Sequence, residues 1–124
     1  MYSREKGDNM VALFIVINRE EYLEDVLGKL FHLGVGGATI IDSQGMGAAI
    51  VHGGIESIPL FGSLKNLLSG SNPYSKTIFT IIKEEELLQK TMDAVNEIFV
   101  SDKLRQAGLM FTVPVGNVET LGYK

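Results

Sequence analysis

Met10-Val-Ala-Leu-Phe-Ile-Val-Ile17 is an unbroken run of eight apolar, largely β-branched or aromatic residues. It is too short to cross a bilayer as a helix. It also lacks the polar alternation of a strand with one wet face, so it reads as a central strand buried on both sides. Successive side chains of a strand point to opposite faces. One face therefore carries Leu13, Ile15 and Ile17, and the other carries Ala12, Phe14 and Val16. Both must be covered.

Outward from that strand, Asn18 followed by Glu21 has the spacing of a capping box and predicts the start of a helix. Leu23, Val26, Leu27, Leu30 and Phe31 recur at helical spacing, while Glu20, Glu24, Asp25 and Lys29 lie off that stripe. Gly34 stands where a helix C-cap is needed. A second strand is expected over Ala38–Asp42, running on towards Gln44, and a third over Lys76-Thr-Ile-Phe-Thr-Ile-Ile-Lys83. Glu84, Glu85 and Glu86 suit the positive end of a helix dipole. The helix they open carries Leu88, Met92, Val95, Ile98 and Phe99 on one face. Leu109-Met-Phe-Thr-Val113 forms the last strand, which Pro114 ends.

The resulting order, β-α-β, a long connection, then β-α-β, predicts an α+β fold. It is a ferredoxin-like βαββαβ sandwich, with a four-stranded antiparallel sheet, two helices on one face and a long loop between strands 2 and 3. The second face then has no cover from this chain, and further copies of the chain are the simplest cover.

Composition narrows the function. The chain has 124 residues, enough for a single domain over 1–124, with polar residues 1–9 as a flexible N-terminus. It is 45% hydrophobic and 21% charged, the balance of a globular protein. A net charge of −4 and a pI near 5.1 argue against binding nucleic acid or an anionic membrane. The absence of cysteine removes disulfides, thiolate metal sites and cysteine nucleophiles. Residues 1–9 have no apolar core of a signal peptide, and a cytoplasmic location is expected.

Gly34-Val-Gly-Gly-Ala-Thr39, then Ile-Ile-Asp-Ser-Gln, then Gly45-Met-Gly47, resembles the strand-two region of the nitrogen-regulatory P-II signalling proteins. Gly108-Leu-Met-Phe-Thr-Val-Pro-Val115 is similar to their last strand, and the resemblance runs over about residues 10 to 122. It implies a homotrimer whose sheets face inward. It also implies small-molecule effectors (ATP, ADP and 2-oxoglutarate) read at clefts between subunits. The long excursion, here residues 45–75, would act as the T-loop that contacts a regulated partner protein. The implied cleft residues are Thr39, Gly45, Gly47, Lys103, Arg105 and Gly108.

The sequence also departs from the family. The Gly-rich phosphate loop is replaced by Val100-Ser-Asp-Lys-Leu-Arg-Gln-Ala-Gly-Leu109, the Arg-Gln pair after Gly-x-Gly becomes Ala48-Ala49, and the two C-terminal Arg positions fall near Thr120 and Gly122. Several adjacent phosphates need cations or N–H donors. No resident cofactor is therefore expected, adenine nucleotide stays open, and a smaller or less charged effector fits these residues better than ATP or 2-oxoglutarate. Tyr74 lies at the far end of the loop, so uridylylation at the family's usual site is not expected.

The loop itself is not purely polar. Ile58, Leu60, Phe61, Leu64, Leu67 and Leu68 fall near helical spacing between Pro59 and Gly70, which predicts a short amphipathic helix over about 60–68. It would bind a partner, cover a cleft or pack as a lid on its own assembly. His52 and Glu56 have metal-ligand spacing, but two ligands do not make a site. His32 suits a helix C-terminus. No nucleophile and base can be assembled, so an enzyme is not expected. A CutA-like trimer, metal-binding or structural, is the alternative to a P-II-like regulator.

Overall fold

The computed structural model describes residues 10–46 and 75–123. Its elements are β1 (Val11–Ile17), a single 3-10 turn (Glu20–Tyr22), α1 (Leu23–His32), β2 (Thr39–Ser43), β3 (Ser75–Ile82), α2 (Glu85–Ser101) and β4 (Gly108–Pro114). The strands form one antiparallel sheet in the order β2-β3-β1-β4, with the β1 run at its centre. This is the expected ferredoxin-like arrangement.

Both helices lie on the face presented by Leu13, Ile15 and Ile17. These residues are closed over by Val26 and Leu30 of α1, Val95 of α2 and Ile78 of β3, with Leu88, Met92, Ile98 and Phe99 packed around them. Thr91 and Thr80 are the buried polar residues of this layer. Thr91 donates to the Leu87 carbonyl, and Thr80 donates to the Gly37 carbonyl, which ties the α1–β2 connection onto β3. Burial without unmet hydrogen bonds costs little.

Two details of the helices differ from the sequence reading. Asn18 does not cap α1. Its N–H donates instead to the Ala107 carbonyl at 2.8 Å, and the chain takes the 3-10 turn before α1 opens at Leu23. A capping side chain must sit at the non-helical residue before the first turn, and the bond to Ala107 holds Asn18 beside β4. Phe31 is also not in the core stripe, being 78% exposed with its ring edge against His32. The next residue around a helix turns about 100°, so with Leu30 pointing in, Phe31 points out. Gly34 behaves as expected: its φ is +84°, its N–H donates to the Phe31 carbonyl, and Val35 N–H donates to the Leu30 carbonyl. That pair of bonds is a Schellman ending.

The other face of the sheet is apolar and uncovered by the described residues. Phe79, Phe14 and Phe111 stack across β3, β1 and β4, with ring centroids 5.6 and 5.0 Å apart. Leu109, Val113, Ile81 and Ile41 lie around them, all exposed.

Candidate functional site

The register fixes where the candidate cleft residues fall. Ile17 pairs with Lys76 on one side and Gly108 on the other, and Ser43 pairs with Ser75. The C-terminal end of β1, the roots of the long loop and the α2–β4 turn therefore share one end of the sheet. Within that end they are split. β2 and β4 are opposite edges, three strand spacings or roughly 14 Å apart. Thr39 is exposed at the start of edge strand β2, opposite Phe79, and Gly45 is exposed just beyond its end. Lys103 and Arg105 are exposed on the turn beside the other edge, and Gly108 begins β4. One chain does not bring the two groups together. Gly47, Ile58, Leu60, Phe61, Leu64, Leu67, Leu68, His52 and Glu56 lie outside the described residues.

The loop root is held by side chains that the sequence reading did not single out. Ser43 Oγ lies 2.7 Å from Ser75 Oγ and 2.9 Å from Thr77 Oγ1. One residue inward, Lys76 donates to the Asp42 carboxylate, and that bond raises the ammonium pKa above its ordinary value. Small hydroxyls at both ends of a long insertion were the available signal, readable only once Ser43 and Ser75 are known to pair.

The α2–β4 turn is more constrained than its lack of glycine suggests. Lys103 takes φ +58°, with its N–H donating to the Val100 carbonyl and Leu104 N–H to the Phe99 carbonyl, so α2 also closes in a Schellman ending. Gln106 takes φ +52°. Non-glycine residues meet a steric cost in this left-handed region. The start of the turn is tied down by Tyr22, whose hydroxyl donates to Asp102 Oδ2 at 2.6 Å while its ring packs on Phe99. The same hydrogen bond, with a smaller desolvation effect, raises the phenol pKa. Gly108 has a steric role: a Cβ there would lie 1.9 Å from the Val16 carbonyl oxygen.

Under the turn, between α2 and the β1–β4 edge, is a pocket of about 170 Å³. Ile15, Val95, Phe99, Leu104 and Met110 form its apolar walls, and Asn96 and Gln106 stand at its rim. The sequence reading named neither rim residue. Among the described residues no group of three or more His, Asp or Glu is placed to hold a metal ion. None of their helices is long and apolar enough to cross a membrane.

Comparison with known proteins agrees with this geometry. No curated protein matches the chain. Among solved structures it is similar to the nitrogen regulatory PII-like protein CPII of Thiomonas intermedia K12, bound to ADP, AMP and bicarbonate. The identity is 16% and the TM-score 0.55, over 90% of this chain and 96% of that one. The apo form of CPII aligns at 18% identity and a TM-score of 0.55, over 88% and 94%. The citrate-bound PII of Arabidopsis thaliana aligns at 12% identity and 0.59, over 92% and 82%. These likenesses carry the fold. The family model for nitrogen regulatory protein P-II matches residues 11–122, from the first residue of β1 to beyond the end of β4. With that match added to the split-βαβ sheet and the long insertion at its site end, the chain belongs to the P-II family, whose members are regulatory proteins and not enzymes.

Proposed function

We propose that this chain is a single-domain, cytoplasmic regulatory protein of nitrogen signalling that works as a homotrimer. It senses a small molecule at clefts between subunits and reports the result to a partner protein through the 45–75 loop. One observation carries the reading. The candidate cleft residues Thr39 and Gly45 sit on one sheet edge and Lys103, Arg105 and Gly108 on the other, so a complete cleft needs two chains. The open Phe79–Phe14–Phe111 face supplies the apolar surface that packing copies together would bury.

The effector is small and carries modest charge. Lys103 and Arg105 are the cations of the turn, and neither has an ion pair among the described residues. Ala48 and Ala49 offer no charge at the loop root. Adenine nucleotides, bicarbonate and citrate are the first ligands to try, since the structural relatives hold them.

The test is a mass by light scattering together with a thermal-shift screen against those ligands, 2-oxoglutarate and divalent metals. Binding to the native state alone stabilises by about 2.7 kcal/mol at roughly a hundredfold excess over Kd, a shift of several degrees. A trimer that responds to one effector supports the reading. A trimer that responds to nothing removes the sensing half, and a monomer removes the assembly on which the cleft depends.

A further inference from the structure

After Pro114 the chain makes one more contact with the sheet, Val115 N–H donating to the Met10 carbonyl at 3.0 Å, and then runs on to Tyr123 without helix or strand. This arm carries apolar side chains that its own subunit leaves bare: Leu121 is 92% exposed and Tyr123 is fully exposed. Elsewhere on the same chain, the pocket under the α2–β4 turn is apolar and open at one side. Its 170 Å³ is close to the roughly 150 Å³ cavity that accepts a benzene-sized group. One leucine side chain fills much of it.

The arm and the pocket are also complementary in charge. In an extended arm, residues two apart share a side, so Glu119, Leu121 and Tyr123 line up together. Lys103 and Arg105 flank the pocket, and among the described residues they, like Glu119, have no ion pair. With Leu121 in the pocket, Glu119 faces that basic turn, and the Asn96 and Gln106 amides are available to the Tyr123 hydroxyl.

We infer that the C-terminal arm of one copy docks on a second copy, seating Leu121 in the pocket between α2, β1 and β4 with Glu119 against Lys103 and Arg105. The chain's own pocket is out of reach. Val115 is fixed beside Met10, at the end of β4 remote from Gly108. A return along β4 with the shortest, two-residue turn places Leu121 opposite Thr112. That is four residues short of Gly108, or roughly 13 Å. The inference rests on the assembly proposed above.

Because the chain has no cysteine, introduced thiols report alone. The full-length Asn96→Cys/Thr120→Cys double variant, both positions exposed, is treated with a short bis-maleimide and run on a denaturing gel, with light scattering on the same sample. Covalent dimers and trimers are expected, falling to the level of the single-cysteine variants when Leu121→Asp is added, and weakened by Glu119→Lys. If light scattering gives a trimer but no linkage forms, or linkage stays within one chain, or the ladder ignores Leu121→Asp, the arm docking is wrong and the trimer stands. If light scattering gives a monomer, both fall together.

Discussion

The two halves of the molecule differ in whether one chain can complete them. The helix-covered layer is finished: Leu13, Ile15, Ile17, Val26, Ile78 and Val95 are all nearly inaccessible, and among the described residues no buried side-chain polar atom lacks a partner. The open sheet face and the adjoining α2–β4 turn are not. Leu109 is 58% exposed, Ile41 47% and Phe111 43%, the turn holds two non-glycine residues at positive φ, and the pocket beneath it is open. The covered half specifies the fold. The unfinished half is where function that depends on another molecule has to be built.

Neighbouring residues of β1 test that division most directly. Ile15 is 2% exposed in the covered layer, and Phe14 is half-buried at the centre of the aromatic row on the other face. Ile15→Ala should cost about 2–5 kcal/mol in denaturant unfolding, by loss of transfer energy plus a cavity. Phe14→Asp should leave a folded chain, since its aromatic pairs contribute only about 0.5–1.5 kcal/mol each beyond area. It should instead collapse the light-scattering mass to that of a monomer, because a carboxylate would have to be desolvated between copies. If Phe14→Asp unfolds the chain while remaining concentration-independent, the open face belongs to the core of the single chain and the comparison fails.

The fold was legible because its determinants are local and periodic. The β1 run, the stripe from Leu88 to Phe99 and the stop at Gly34 each act within a few residues. The two readings that missed, Asn18 as a cap and Phe31 as core, were decided by a neighbouring strand and by the angular position of Leu30. Less of the candidate site could be read. Lys103 and Arg105 were visible as cations near the expected loop, but a left-handed lysine carries no sequence mark. The Ser43–Ser75–Thr77 cluster joins residues more than thirty positions apart and exists only through register. The pocket rim, Asn96 and Gln106, is assembled from a helix and a turn that touch only in three dimensions.

The helix endings sharpen the comparison within a single motif. α1 and α2 close with the same pair of hydrogen bonds, yet the left-handed position is Gly34 in one and Lys103 in the other. The left-handed conformation costs a side-chain-bearing residue about 1–2 kcal/mol. Glycine gives back roughly 0.5–1 kcal/mol through the greater freedom of the unfolded chain. Lys103→Gly should therefore stabilise by about 0.5–1 kcal/mol, a rise in Tm of a few degrees. If Lys103 also serves the cleft, the same variant should respond less to the effector that shifts the parent protein. Higher stability with an undiminished ligand shift would mean that the lysine is only tolerated there.

The smallest effect concerns the tie between the two halves. Tyr22, at the entry to α1, donates to Asp102, where α2 passes into the turn. The phenol pKa is raised above 10.0, first by that hydrogen bond and then by desolvation. Folding therefore favours the protonated phenol. The tie's contribution is fully present below the ordinary value and is lost as pH rises through the raised one. In an alkaline titration followed by tyrosinate absorbance, a late component should be present in the parent protein and absent from Tyr22→Phe. Asp102→Ala should bring that component back towards 10.0 without changing the oligomeric mass, because the tie acts inside one chain. Were the late component to survive Asp102→Ala, burial and not the carboxylate would be its cause. The turn would then be held to the covered layer by the Tyr22–Phe99 ring contact, which no proton can release.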